Sequence, residues 1–299
     1  MALTVEQLEA MFAANEQEHI HIDVLVIGAG LFGSIIGEAL QMQGRVVSYI
    51  DAMHPRAGSR PAACLMRPSW LAGMGKENYK KALTKLDELY GIQDVEFYTD
   101  PLNKRVSVHW IPPHRILKYD QAIKGVITNI VIGEDETCSV RARIDEKDYE
   151  IHPKLLIVAA GYWTKKLFVI PELKGLAGAA FAWCGLTLKN QINVWAPYKQ
   201  IVTLNNWAKG YVWVGDGSAI LSKNWGKDRL KASLKRCAEY VQRSPGEARI
   251  FEGIRPSIKG VKTCFLEKTY ANTWVATGGA KNGTAAAGWA AAQIVDAEC

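Results

Sequence analysis

Gly28, Gly30 and Gly33 stand in the run Gly28-Ala29-Gly30-Leu31-Phe32-Gly33, directly after the β-branched and aliphatic stretch His21 to Ile27. At that spacing each glycine has its own role. The first permits a tight turn, the second lets backbone approach a pyrophosphate, and the third lets helix and strand pack closely. A helix opening at this loop would aim free N–H groups and the positive end of its dipole at phosphates. Asp51 closes the next apolar run, about 20 residues on, where a carboxylate can accept hydrogen bonds from a ribose. The loop alone does not separate FAD from NAD.

A second glycine loop lies far along the chain, in Val275-Ala276-Thr277-Gly278-Gly279-Ala280-Lys281-Asn282-Gly283. A helix of small residues follows it (Ala285, Ala286, Ala287, Gly288, Ala290, Ala291, Ala292). Such a helix can lie close against another backbone, and its amino terminus attracts anions. Reduced flavin carries negative charge on its pyrimidine side, so a helix terminus there would stabilise it. A nicotinamide enzyme has no evident use for this returning loop, which favours FAD.

The elements that must position these residues follow from periodicity. His21 to Ile27 reads as a buried parallel strand, Phe32 to Gln43 as a helix with Ile35, Ile36, Ala39 and Leu40 on one face, and Val46 to Ile50 as a second strand, together a βαβ unit. Helical spacing recurs over Lys76 to Tyr90 and Asp228 to Arg243. Short strands are expected at Val106–Trp110, Gly125–Ile132, Ser139–Ile144, Leu155–Val158, Tyr211–Gly215 and Thr273–Ala276. Leu3, Leu8, Met11 and Phe12 suggest a short amphipathic helix near the amino terminus.

The 299 residues are 48% hydrophobic and 22% charged, a balance that fits a packed globular core. No apolar stretch approaches the roughly 20 residues of a membrane-spanning helix, and no partnership with a membrane is expected. The polar, acidic amino terminus is unlike a secretory signal. Six cysteines, without a Cys-x-x-Cys pair, imply neither a zinc site nor a disulfide framework, and a cytoplasmic setting is the simplest expectation. Ten tryptophans are many; exposed ones could stack on flat rings. Two basic groups, Lys76/Lys80/Lys81/Lys85 and Lys223/Lys227/Arg229/Lys231/Lys235/Arg236, contribute to the net charge of +6. They read as solvated helix faces or as a phosphate-tracking surface.

Taken together, these motifs resemble the D-amino-acid oxidase family of flavoproteins, in its glycine-oxidase branch. The likeness rests on Ile27 to Gly33 with Asp51, on Ser59-Arg60-Pro61-Ala62-Ala63-Cys64-Leu65-Met66, and on Val158-Ala159-Ala160-Gly161-Tyr162-Trp163. It extends to Gly253-Ile254-Arg255-Pro256 and to Gly278–Gly283. Asp51 stands where the family often has glutamate, Lys281 where arginine is usual, and the helix expected between Trp110 and Gly125 is missing. The chain is also similar to short flavoenzymes of bacteriophage thymine hypermodification.

The resemblance implies an α/β protein: a Rossmann-like FAD-binding domain of the glutathione-reductase type with a reduced antiparallel-sheet substrate domain. The expected division is 1–75, 125–178 and 251–299 for FAD, and 76–124 with 179–250 for substrate. It implies FAD contacts at Gly28, Ala29, Gly30, Leu31, Phe32, Gly33, Asp51, Ala52, Ala62, Ala63, Cys64, Ala160, Gly161, Gly279, Ala280, Lys281, Asn282, Gly283 and Thr284. Arg255 would fork onto a substrate carboxylate, and Lys281 would assist the carboxylate or the flavin. Tyr211, Trp213, His109 and Trp110 could wall the pocket. The implied reaction is hydride transfer from a glycine-like amine to flavin N5, followed by imine hydrolysis. The amine is either free or a glycine linked to a thymine base in DNA, in which case glyoxylate leaves and an aminomethyl base remains. A non-catalytic dinucleotide-binding module is the reading of another class.

Overall fold

The computed structural model of the chain describes residues 19–66, 73–100, 104–188, 191–196, 199–208, 210–261 and 263–299, together with residue 10. The amino-terminal amphipathic helix expected around Leu3 to Phe12 otherwise lies outside the described residues.

The first sheet is built on the predicted βαβ unit: β1 (His19–Ile27), helix α1 (Leu31–Met42) and β2 (Val47–Asp51). Later chain segments extend it with β6 (Ala122–Lys124), β9 (Lys147–Val158), β16 (Phe265–Tyr270) and β17 (Thr273–Thr277), in the order β16-β17-β9-β1-β2-β6. β1 runs parallel to β2 and β9, as do β9 with β17 and β2 with β6. The parallel strands are buried on both faces, so Val24 to Ile27 is continuously apolar rather than alternating. A hairpin of β7 (Val126–Ile132) and β8 (Cys138–Ile144) pairs with the first half of β9.

One face of this sheet carries α1, α2 (Lys76–Tyr90) and α5 (Gly283–Glu298). The alanines of α5 present almost no side chain, so it sits tightly between the other two helices, with Ala285, Ala286, Ala287, Ala290 and Ala291 buried. The sequence pattern groups α2 and β6 with the second unit. The structure packs both with the first, because Ala82, Leu86 and Tyr90 bury against this same core and β6 completes the sheet edge beside β2.

The second sheet contains β3 (Leu65–Met66), β4 (Gln93–Asp100), β5 (Lys104–Trp110), β10 (Leu173–Cys184), β11 (Gln191–Ala196), β12 (Lys199–Ala208), β13 (Tyr211–Gly215), β14 (Ile220–Leu221) and β15 (Arg249–Ile258). Its order is β14-β10-β13-β12-β11-β4-β5-β3, with β15 along β10. It is antiparallel except where β11 meets β4. Helix α4 (Lys227–Val241) covers one face through Cys237, Ala238 and Val241. Between the sheets, the expected helix after Trp110 is reduced to one turn, α3 (Pro113–Ile116), and a 3-10 turn at Tyr119–Gln121.

Candidate functional site

A cavity of about 480 Å³ opens where the C-terminal ends of β1, β2 and β9 meet β15 and the second glycine loop. This is where open α/β sheets bind ligands. Gly28 turns at φ +98°, and a Cβ there would meet the carbonyl oxygen of Ala159 at 2.6 Å. A Cβ on Gly33 would stand 1.8 Å from the carbonyl oxygen of Gly28, so the helix can press onto its own loop only with glycine. The first intrahelical bond runs from Ser34 N–H to Gly30 C=O at 2.9 Å, which leaves the preceding N–H groups outside the helix ladder. One of them, Leu31 N–H, donates to Ser59 Oγ at 2.9 Å.

Asp51 does more than end a strand. Its carboxylate accepts Ala29 N–H at 2.7 Å and Met53 N–H at 2.6 Å, so it ties the glycine loop to the turn after β2. Each oxygen keeps a further lone pair for a ligand hydroxyl. Asp51→Asn would turn one acceptor into a donor facing a backbone N–H. It is expected to cost about 2 kcal/mol of unfolding free energy, read as a lower urea midpoint at unchanged slope.

The segment after Asp51 brings positive charge and a flat surface. The Nε atoms of Arg56 and Arg60 are buried without a hydrogen-bond partner among the described residues. Arg60 donates through Nη2 to Met53 C=O at 3.4 Å, and neither arginine is in the cavity lining, but both lie close enough to His54, which is, to act on its charge. His54 and Trp163 both line the cavity, with ring centroids 4.2 Å apart. Burial, then the charges of Arg56, Lys166 and Arg60, hold His54 below its usual pKa. Its Nδ1 accepts Arg56 N–H at 3.1 Å, which also requires an unprotonated nitrogen there.

β15 carries Arg255 into the cavity wall and is stitched on both sides. Ile254 forms a parallel bridge with Ala57, and Ser257 an antiparallel bridge with Gly279. A Cβ on Gly58 would meet the Ile254 carbonyl oxygen at 2.6 Å, and one on Gly253 would meet Pro61 Cγ at 2.6 Å. Arg255 is half-buried; desolvation pushes its pKa down, and the charge of Asp216 opposes that. Among the described residues no carboxylate lies within ion-pair distance of Arg255, so its fork is free for a ligand. The second glycine loop closes the wall with Gly279, Ala280 and Gly283, and Thr277 Oγ donates to Gly161 C=O at 2.9 Å.

Of the residues the sequence singles out, Gly28, Gly30, Leu31, Phe32, Asp51, Ala52, Ala160, Gly161, Arg255, Gly279, Ala280 and Gly283 line this one cavity. Ala29 and Gly33 support it from behind. The side chain of Lys281 lies outside the described residues. Ala62, Ala63, Cys64, Asn282 and Thr284 are not in the lining. Cys64 is buried, its thiol pushed up to about 12 by desolvation, with Thr284 as its hydrogen-bond partner.

The aromatic wall expected from His109, Trp110, Tyr211 and Trp213 does not border the cavity. His109 pairs with Asp94 at 2.7 Å and Tyr211 lies under the Arg249 guanidinium. The indoles of Trp110 and Trp213 are nearly buried, with their N–H groups bonded to backbone. Sequence reasoning passed over Ser59, His54, Tyr119 and Lys166 as site residues. Only Ser59 carried a signal, from its place in the small-residue segment.

No family model matches the chain. It is 24% identical to digeranylgeranylglycerophospholipid reductase 2 of Methanococcoides burtonii over 292 aligned positions, covering 87% of this chain and 68% of the other. Among solved structures, glycine oxidase from Geobacillus kaustophilus superposes with a TM-score of 0.63 at 14% identity, over 93% of this chain and 94% of that one. L-α-glycerophosphate oxidase from Mycoplasma pneumoniae, solved with FAD bound, superposes at 0.64 and 15% identity, over 92% and 94%. The chain therefore has the mixed α/β fold of the FAD-dependent oxidoreductases.

Proposed function

We propose that the cavity holds FAD and that the chain is an oxidoreductase acting on a glycine-like amine that carries a carboxylate. One observation carries this reading: both glycine loops, Asp51 and Arg255 border a single cavity. The glycine loop with the α1 terminus would hold the pyrophosphate and Asp51 the ribose, with Arg56 and Arg60 adding positive charge nearby. FAD, when bound, supplies the acceptor for a hydride from the carbon beside the nitrogen. Arg255 would bind and orient the substrate carboxylate, so that positioning rather than acid–base chemistry is the protein's contribution. The likeness to glycine oxidase and to other amine-acting flavoproteins of this fold supports an amine.

A glycine linked to a thymine base in DNA is the larger alternative substrate. It is favoured by the exposed Lys223, Lys227, Arg229 and Lys231 at the start of α4. The α2 group offers less free charge, since Lys81 pairs with Asp296 and Lys85 with Glu88.

The test is anaerobic mixing of FAD-loaded protein with glycine, sarcosine and glycyl-modified DNA, followed by flavin absorbance. Bleaching by a free amine is expected if the substrate is small. Bleaching by the DNA alone, with binding that weakens steeply with salt, would assign the polymer. If none of the three bleaches the flavin, amine oxidation is excluded.

A further inference from the structure

The 3-10 turn at Tyr119–Gln121 stands in the place of the missing helix, and the chain entering it is strapped to α1. Lys118 N–H donates to Ser34 Oγ at 3.0 Å, and Ser34 Oγ donates in turn to Ala29 C=O of the first glycine loop at 2.8 Å. Lys118 Nζ pairs with Glu38 of α1 at 2.5 Å. Ser34 is fully buried, so this link is shielded from water. The next residue, Tyr119, is thereby carried over the loop. The Arg60 guanidinium lies over its ring, 5.4 Å from the centroid, and fixes it from the other side.

The phenol reaches the cavity beside Gly30. A Cβ on Gly30 would stand 2.8 Å from Ser59 Oγ and 3.9 Å from Tyr119 Oη, and all three residues line the cavity. Tyr119 Oη is buried, and among the described residues no carboxylate or carbonyl accepts its proton; Ser59 is the hydroxyl it meets. Ser59 Oγ already accepts Leu31 N–H. Each hydroxyl has one proton and two lone pairs. Whichever of the two donates to the other, one O–H proton is left without an acceptor among the described residues. Burial, then the charge of Asp51, holds the phenol above its usual pKa, so it stays a proton donor at neutral pH.

We propose that Tyr119 binds the cofactor, its phenol and the paired Ser59 hydroxyl together presenting one O–H to a phosphate oxygen at Gly30. This rests on the FAD reading above. Ser59 takes the Leu31 N–H out of the anion-binding set of the α1 terminus, and the hydroxyl pair returns a donor in its place. A phosphate oxygen makes that donor's bond charge-assisted. Gly30 and Leu31 mark the phosphate end of the loop, whereas a ribose belongs at Asp51.

The experiment measures the FAD dissociation constant and the phosphorus NMR spectrum of FAD-loaded protein. Tyr119→Phe keeps the ring and removes the hydroxyl. It is expected to weaken FAD about tenfold, the worth of one hydrogen bond to a charged group. One of the two phosphorus resonances should move, with the flavin absorbance spectrum unchanged. Tyr90→Phe removes a buried phenol of α2 that does not border the cavity, and should alter neither. Wild-type protein carrying ring-labelled tyrosine bypasses any folding defect. There the Tyr119 carbon bearing the hydroxyl should shift when ADP, which has the pyrophosphate but no flavin, is added. Unchanged affinity in Tyr119→Phe would overturn the proposal, as would weaker binding with both phosphorus resonances unmoved, which would put the contact elsewhere on the ligand. A Tyr119 resonance that ignores bound ADP would also overturn it. Wild-type protein that binds no FAD would instead overturn the cofactor reading beneath it.

Discussion

Gly33→Ala is expected to yield a colourless protein that takes up no FAD and has lost at least about 3 kcal/mol of stability. The methyl would be placed 1.8 Å from the Gly28 carbonyl oxygen and 2.9 Å from Val26 Cγ1, and neither can retreat. Gly28 is held from the other side by its N–H bond to Ile50 C=O at 2.8 Å and by contact with Ala159. Val26 is fully buried in β1. The helix must therefore lift from the loop, and its free N–H groups leave the cavity with it. Thermal unfolding should show a Tm lower by at least roughly 6 °C, and flavin absorbance after reconstitution should be absent. A yellow protein of unchanged Tm would mean that the loop and helix do not meet as described.

The second large effect is expected at Arg255. Arg255→Leu keeps much of the side-chain volume but removes the free guanidinium of the cavity wall. For a carboxylate-bearing amine the loss of a charged, forked hydrogen bond is worth about 3 kcal/mol, roughly a hundredfold in kcat/KM. FAD content should be unchanged, because neighbouring backbone rather than this side chain stitches β15 to Ala57 and Gly279. Arg255→Lys should recover little, since an ammonium cannot make the planar fork. A methyl ester of the amine should be turned over equally by wild type and Arg255→Leu. If the variant discriminates against the ester as much as wild type does, Arg255 does not hold the carboxylate.

The first sheet was the more legible half. β1, α1 and β2 form one local unit whose periodicity and glycine spacing need no distant partner to interpret, and α1 begins within one residue of the expected start. Helix α2 was equally clear from Tyr79, Leu83 and Leu86, yet its partner was misassigned, because an amphipathic stripe says that a face is buried but not against what. The second sheet could not be ordered from sequence, since a pairing such as β11 with β4 joins residues far apart in the chain.

The cavity followed the same division. Residues in glycine motifs were found, because only glycine tolerates those approaches. His54, Tyr119 and Lys166 were not, because they sit in a loop and in short 3-10 turns, too brief for a period to mark the inward face. The tryptophans were misread for a related reason. Composition counts flat rings but not their N–H groups, and Trp110, Trp183, Trp207, Trp213, Trp225, Trp274 and Trp289 each spend theirs on another protein atom.

The place of α5 in the chain has a bearing on how the molecule comes to exist. This helix follows every other described element in sequence order, yet it packs against α1 and α2 and adjoins the loop that completes the cavity. On a ribosome adding about 5–20 residues per second, the first βαβ unit emerges many seconds before its covering helix. Throughout that interval the apolar faces of α1 and α2 lack the surface they finally bury against. Until α5 arrives those faces are exposed apolar surface, the kind that makes a folding intermediate prone to aggregate. The cavity, too, is complete only once the loop beside this helix has been made.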